Sequence, residues 1–553
     1  MSQQYPFIDM HTHFFNGRYL PLDGILRSWK IPTLLARALT RVIVPLVSKS
    51  AFSSPPASEA DDDDLEAILQ QDDATLFKGI VKRTVRAIEK HADKQLDDPA
   101  AQMDLAQMME GLRELHAMQH HTDSAEIYSK NFAERLAGST KAATDILETA
   151  EAEAISDTLY WALSEVDRER DPRMELGHNH ADDDDGHDHG HGNPDSMAHA
   201  DKALRIGNFG SLGQIIRFVA SMFLSERNRY RLLVRDYGKG KPPGGYDATH
   251  FLGLPPDMQM PYQFLYGRRT IPPSYEAKLQ TSRMVALSRD TDGHMLTFGA
   301  VDPFRVFDWE EYVDHAVALG VTGFKIYPPM GFRAANKPGY TTPVNPAADP
   351  AYAKTPPNSP RMNATVRDIL TRMNADGLRL FTHCTPEGFE SQKGNGVHSD
   401  PAFWDHAITE YGLDDLWLFL GHGGGATDVD WNGWLCEEDH WTDTFAYRAV
   451  KMCQTHRNVY LGVGYITSLL RGEGRDTMMP RLKKLLMEDS QTPFQLRDKI
   501  CFGSDWSMPQ MIGKTREYLD IFYAFFDDPD IAQYAPAFFE GNARRYLGLN
   551  QIS

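Results

Sequence analysis

The sequence predicts an α/β chain: a (β/α)8 TIM barrel with a long, mostly helical insertion after strand one. Three observations predict it. The apolar run at residues 5–10 leads into His11-Thr12-His13. Four later runs, at 323–328, 380–383, 419–424 and 500–505, are likewise short and apolar and carry Lys325, His383, His422 and Asp505. From Tyr246 onward, strand-like and helix-like segments alternate, which is the pattern of a parallel sheet. Parallel barrel strands are buried on both faces, and their chemistry sits at their C-terminal ends.

Each element follows in order. Residues 5–13 are strand one. Residues 31–47 are apolar but interrupted by Arg37 and Arg41, which suits a buried or lid-forming amphipathic helix and not a membrane span. Residues 62–170 are rich in Ala, Glu, Leu, Gln and Met, and Leu105, Met108, Met109, Leu112 and Leu115 recur at helical spacing on one face. His178, His180, His187, His189, His191 and His199 then interleave with Asp182 to Asp185. That tract has too little apolar surface to order itself, so a disordered loop is expected near 177–200. It could capture metal ions transiently or serve as solvated filler, and filler is the favoured reading. Residues 212–234 read as helix, and the Gly/Pro-rich stretch 238–245 reads as a boundary.

Beyond it, strands are expected at 249–254, 295–301, around Lys325, His383 and His422, at 458–463, and before Asp505. Helices are expected at 273–290, 310–319, 366–376, 401–411, 441–456, 480–488 and 542–547. With strand one this makes eight strands, and eight imply a closed barrel. The expected division is a barrel from 1–30 and 244–553 with an insertion at 31–243.

The formal net charge is −20 over 553 residues, with acidic runs at 61–64 and 182–185. That balance argues against nucleic-acid and anionic-membrane partners, which need a basic face. Four cysteines without a Cys-x-x-Cys pair fit a reducing cytoplasm, and no signal peptide is expected. The expected partner is a small-molecule substrate. A homo-oligomer is compatible with the amphipathic insertion, and core packing explains that insertion equally well.

His11 and His13 lie two apart on a strand and so point the same way, giving two imidazoles for one cation. Together with Ala300-Val301-Asp302-Pro303, Phe381-Thr382-His383, Gly421-His422-Gly423-Gly424, Gly503-Ser504-Asp505-Trp506 and Gly541-Asn542-Ala543-Arg544-Arg545, the chain resembles the amidohydrolase superfamily. More narrowly it resembles the amidohydrolase-related branch of metal-dependent hydrolases and decarboxylases. The resemblance covers residues 1 to about 20 and about 244 to 553 and leaves the insertion unexplained.

The resemblance implies a divalent metal at the barrel mouth, with His11, His13, His383 and Asp505 at ligand positions. Zinc suits such nitrogen and carboxylate donors, as do manganese and iron. It implies for His422, at the strand-six position, either a second-metal ligand or a residue that works on the substrate; a hydrolase would use Asp505 as proton carrier for a metal-activated water and His422 as hydrogen-bond donor to the developing oxyanion. Lys325 stands where binuclear members carry a carboxylated lysine bridging two metals. Its other readings are a substrate-facing cation or a partner of a buried carboxylate. Arg333 and Lys337, after strand four, are candidate anchors for a substrate carboxylate. Asp257, Arg305 and Glu387 also follow strand ends, where exposed loop charges are the commoner reading. Cys384 points to the opposite strand face, so burial is expected.

Three functions are compatible with this pattern. The first is a hydrolase of a small amide, ester or lactone. The second is a non-oxidative decarboxylase of an aromatic or unsaturated carboxylic acid. The third is a non-catalytic metal-binding scaffold.

Overall fold

The structure, a computed structural model, describes residues 3–14, 17–28, 31–49, scattered helical residues between 79 and 163, 224–237, 246–266, 277–340, 360–386, 388–392, 394–425, 433–470, 472–489, 491–506 and 514–549. The His/Asp-rich tract, the 238–245 boundary, Leu105, Met109 and Glu387 lie outside the described residues.

Eight strands form one sheet in sequence order: β1 (Phe7–Thr12), β2 (Ala248–Gly253), β3 (Met295–Ala300), β4 (Gly323–Ile326), β5 (Arg379–His383), β6 (Trp417–Gly421), β7 (Val459–Val463) and β8 (Ile500–Phe502). Every neighbouring pair is parallel. The ring closes just beyond β8, where Trp506 donates to His11 O at 3.1 Å and His13 donates to Trp506 O at 3.0 Å. This is the expected (β/α)8 barrel. Ile8, Met10, Leu252, Leu296, Phe298, Phe381, Phe419, Tyr460 and Cys501 fill the interior. The alternate residues, among them Phe7, Phe251, Phe324, Leu380, Leu418, Leu461 and Phe502, pack outward into the helical layer. Alternation at period two is what sorts the strand residues between the two faces.

Twelve α-helices are labelled among the described residues. They are α1 (Leu22–Ser28), α2 (Thr33–Lys49), α3 (Glu226–Tyr237), α4 (Gln259–Tyr266), α5 (Ala277–Asp290), α6 (Trp309–Leu319), α7 (Pro360–Ala375), α8 (Pro401–Tyr411), α9 (Phe445–Thr455), α10 (Gly472–Met487), α11 (Thr515–Phe526) and α12 (Asn542–Leu547). Helix α3 packs against α5 and α11, so it belongs to the ring of helices around the barrel. Helix α12 plugs the N-terminal end of the strands, where the Tyr546 hydroxyl donates to Leu380 O at 3.0 Å. Among the described residues, no helix is long and apolar enough to cross a membrane.

Four expected helices have clearly different bounds. The described part of the one expected at 212–234 begins only at Glu226, after the non-helical Leu224 and Ser225, and runs to Tyr237. The segment expected at 441–456 is a 3-10 turn, Glu438–Asp443, followed by α9, because Thr444 caps α9 by accepting from Tyr447 N. Helix α7 starts at Pro360, a residue well suited to a first turn, six positions before the expected Val366. Helix α10 starts at Gly472 and runs through Pro480.

The amphipathic segment at 31–47 is α2. Its Leu35, Leu39, Val42 and Ile43 join one core with the helical residues Met108, Leu112, Leu115, Leu159 and Leu163. Arg41 spans this contact to Glu114 at 2.6 Å and Glu110 at 3.2 Å. A side chain at Gly111 would begin 2.7 Å from Ala38 O and 2.8 Å from Arg41 Cβ, so the helices touch there backbone to backbone. Gly111→Val is therefore expected to destabilise the protein by about 1–3 kcal/mol through overpacking, read as a lower urea midpoint. An unchanged midpoint would show that the contact does not matter.

Candidate metal centre

Six polar side chains that the sequence singles out converge at the C-terminal mouth of the barrel. His13 Nε2 lies 2.9 Å and His11 Nε2 3.3 Å from Asp505 Oδ1. The His11 and His422 rings are 4.6 Å apart, and the His383 and His422 rings 4.5 Å. Lys325 Nζ lies 3.5 Å from His13 Nε2. Single donor atoms of His11, His422 and Asp505 all fall within 4.8 Å of one another.

Local irregularities in the backbone build this convergence. Between Asp9 and Thr12, β1 advances three residues while β2 advances two, from Phe251 to Gly253. Such an extra residue re-aims the side chains that follow it. Met10 packs inside the barrel, and His11 also reaches the barrel axis, its ring 4.9 Å from Phe381. His422 and Asp505 adopt left-handed φ of 62° and 61°, values uncommon for residues with a side chain and concentrated at functional sites. Glycines make the room. A side chain at Gly464 would begin 2.6 Å from His11 Nδ1, and one at Gly503 2.9 Å from His11 Cβ.

Burial favours the neutral form of three of these imidazoles, those of His11, His13 and His422. Burial lowers His11 well below the ordinary histidine range, and His422 and Lys325 push it the same way. Burial likewise lowers His13, and it brings His422 down to about 4. Burial would raise Asp505, but His13, His422 and Lys325 hold it below the usual carboxylate range. Burial brings Lys325 down to about 7, with Asp505 opposing the shift. Neutral imidazoles beside an ionised carboxylate are the protonation states that a metal requires.

The fit to a divalent ion rests on orphaned atoms. Among the described residues neither ring nitrogen of His11 makes a hydrogen bond of good geometry, its 3.3 Å approach to Asp505 included, and neither does His422 Nε2, although all three are buried. Buried polar atoms normally find partners, so a cluster of orphans facing one another needs a further occupant. A metal ion held by nitrogen and oxygen donors is such an occupant. His11, His13, His383, His422 and Asp505 could hold it.

One role reads differently in the structure. His422 Nδ1 lies 3.0 Å from Gly464 O. A carbonyl oxygen only accepts, so the proton is on Nδ1, and Nε2 of the neutral ring carries a lone pair. His422 therefore presents an acceptor or ligand to the mouth, and the oxyanion-donor role expected of it does not suit this tautomer.

Arg333 and Lys337 contact other groups. Arg333 Nε donates to His398 Nδ1 at 2.9 Å and its guanidinium lies over Phe403, while Lys337 sits over Tyr340. None of these contacts is with the convergent side chains. Asp257 and Arg305, read as exposed loop charges, are instead a buried pair, with Arg305 Nε 2.6 Å from Asp257 Oδ2. Charges at buried strand ends must be neutralised, and these neutralise each other. Cys384 is buried as expected.

Sequence reasoning missed Asp9. It is fully buried behind the histidines and accepts from His11 N, Ser504 N, Ser504 Oγ and Tyr237 Oη at 3.1, 2.9, 2.5 and 2.8 Å. Burial pushes its carboxyl up to about 6 against those bonds. Its spacing in Asp9-x-His11-x-His13 was the available signal.

Tyr327 was also missed. Its hydroxyl accepts from Phe389 N at 3.0 Å, and its ring is 4.7 Å from His383. The loop after β5 crosses here at Gly388, whose φ is 120°. A side chain at Gly388 would begin 2.6 Å from Tyr327 Oη and 2.8 Å from His383 Nε2. Gly388→Ala is expected to cost about 1–3 kcal/mol in backbone strain and to lift this loop. The check is weaker divalent-ion binding in a competition titration together with a lower melting temperature. Unchanged affinity would show that the loop does not bear on the site.

No family model and no curated protein matches the chain. Solved structures do. An amidohydrolase from Burkholderia multivorans with bound zinc matches at 14% identity and a TM-score of 0.35, over 55% of this chain and 84% of that one. A 5-carboxyvanillate decarboxylase from Novosphingobium aromaticivorans with bound manganese matches at 12% identity and 0.33, over 61% and 84%. A 2,6-dihydroxybenzoate decarboxylase from Rhizobium matches at 12% identity and 0.33, over 59% and 89%. The chain is thus similar, at low identity, to solved amidohydrolase and decarboxylase structures, while the donor atoms of its own barrel mouth are what speak for a metal.

Proposed function

We propose that this chain is a metal-dependent hydrolase of a small amide, ester or lactone. The observation that carries the reading is the cluster of orphaned, buried donors of His11 and His422 around Asp505. Zinc is the proposed ion, with manganese or iron as alternatives, because three or four imidazoles and one carboxylate suit all three. When bound, such an ion polarises a carbonyl and makes water a better nucleophile at neutral pH.

The chain's own residues supply the rest. Asp505, ionised and against His13, takes the proton of the attacking water and passes it to the leaving group. His422 turns its Nε2 lone pair to the mouth. The oxyanion donor is then Tyr327, whose hydroxyl accepts from Phe389 N and keeps its own hydrogen to give, with Lys325 as the neighbouring cation. Tyr262 donates to Glu390 O, in the loop whose Gly388 lies against Tyr327 and His383.

The test is elemental analysis of the purified protein, followed by a substrate screen in 18O-labelled water with the identified metal restored. Hydrolysis places the label in the product. Carbon dioxide release without label uptake would move the reaction to the decarboxylase class. Absence of any stoichiometric divalent ion would overturn the proposal, and a bound ion without turnover would favour the metal-binding scaffold.

A further inference from the structure

Tyr518 lies on α11, outside the barrel wall, and is fully buried. Its ring packs at 5.5 Å from Phe522 and 6.4 Å from Phe502. Those contacts account for an aromatic residue, and phenylalanine would keep them. They do not account for the hydroxyl, which donates to Val463 O at 2.6 Å and accepts from Ile466 N at 3.1 Å.

Those two partners bracket Gly464 and Tyr465, where the chain leaves β7. Tyr465 has φ of 49°, a left-handed conformation that costs a non-glycine residue roughly 1–2 kcal/mol. The Tyr518 hydroxyl fastens both sides of this strained turn, and the turn touches the metal centre twice. Gly464 O accepts a hydrogen bond from His422 Nδ1–H, and Gly464 itself abuts His11 Nδ1 so closely that a side chain would begin 2.6 Å away.

We propose that Tyr518 is a positioning residue for the metal centre. By fixing the 463–466 turn it holds the Gly464 carbonyl under His422, sets the Nδ1–H tautomer, and leaves the Nε2 lone pair facing the other donors. The group hydrogen-bonded to the second nitrogen of a ligating histidine selects its tautomer and orientation, and removing such a partner typically weakens metal binding about 10–100-fold. The inference rests on the proposed metal-binding reading only in its affinity arm. The tautomer itself is a property of the metal-free protein.

The experiment uses the full chain labelled with 15N-histidine. Long-range 15N spectra of the metal-free protein report the tautomer of each imidazole, and a His422→Gln sample assigns the His422 signals among the 21 histidines. The wild type is expected to show His422 protonated on Nδ1. In Tyr518→Phe that signature is expected to give way to a mixture with the Nε2–H form, with zinc affinity falling about 10–100-fold in a competition titration.

Two companions separate positioning from packing. Phe522→Leu removes ring contact and is expected to lower the melting temperature while leaving tautomer and affinity in place. 4-Aminophenylalanine at position 518, which can both donate and accept, is expected to restore the wild-type tautomer. An unchanged His422 tautomer in Tyr518→Phe would overturn the proposal, as would its loss in Phe522→Leu. A wild type that takes up no zinc would end the metal reading, and the tautomer comparison would still decide the role of Tyr518.

Discussion

Asp505→Asn is expected to abolish turnover and to strip most of the bound metal. Asp505 is the carboxylate among the convergent donors, 2.9 Å from His13 Nε2 and 3.3 Å from His11 Nε2. An amide in its place is neutral and cannot carry a proton between water and leaving group. Loss of general acid–base catalysis alone costs about 10²–10⁴ in rate. Asparagine is the informative replacement because it tolerates the left-handed φ of 61° better than most residues, so the backbone is expected to stay put. Elemental analysis and turnover, measured on one preparation, separate the two roles. Metal kept with turnover lost would make Asp505 a proton carrier and not a ligand. Turnover kept would refute its place in the reaction.

Asp9→Ala is expected to have the largest effect on stability. One carboxylate accepts the backbone N–H of His11 on β1, the backbone N–H and hydroxyl of Ser504 beyond β8, and the hydroxyl of Tyr237 on α3. Each buried donor left without an acceptor costs about 1–3 kcal/mol. Even with the hydroxyls turned to other partners, the two backbone donors leave a loss of roughly 2–6 kcal/mol. That is a large part of the 5–15 kcal/mol that typically separates folded from unfolded chains.

Asp9→Asn is expected to be much milder. Its amide oxygen can accept from the two N–H groups that now meet Oδ1, and its NH2 can donate to the two hydroxyls that now meet Oδ2. It also removes a charge that is fully buried. Urea unfolding of both variants checks the contrast. Equal, severe destabilisation would show that the charge matters and not the hydrogen-bonding pattern.

The barrel was legible because five strands are short apolar runs carrying a ligand-type residue at or near their ends, and strand-like and helix-like segments alternate between them. Helices α8 and α12 were legible to the residue because each begins or ends at a clear boundary: Pro401 after the Asp400 cap, and Gly548 after Leu547. The start of α10 was hidden by Gly472, Gly474 and Pro480, which read as breakers. In the fold, Gly474 lies where a side chain would begin 2.1 Å from Ser468 O, so glycine is required inside a helix.

At the site, residue identities were legible and their orientations were not. Strand alternation extends only as far as the regular strand. His11 lies within the bulge between Asp9 and Thr12, and His422 and Asp505 sit on left-handed backbone, so two-residue periodicity does not set where they point. Tyr518 was invisible for another reason. It acts through hydrogen bonds to a backbone turn, and no spacing in the sequence announces such a partner.

Closure of the ring between its first and last strands has a consequence for biosynthesis. Asp9 and Ser504 are 495 positions apart. In synthesis His11 and His13 come before Asp505, the carboxylate opposite them, and β1 is made before β8 can close on it. On the proposed reading, a site that needs Asp505 is completed only after β8. Until then the N-terminal strand waits with an unpaired edge, and contacts of such long range form slowly. Arrested nascent chains stalled before β8 should bind zinc more weakly than chains that include β8 and Asp505 and have left the ribosome.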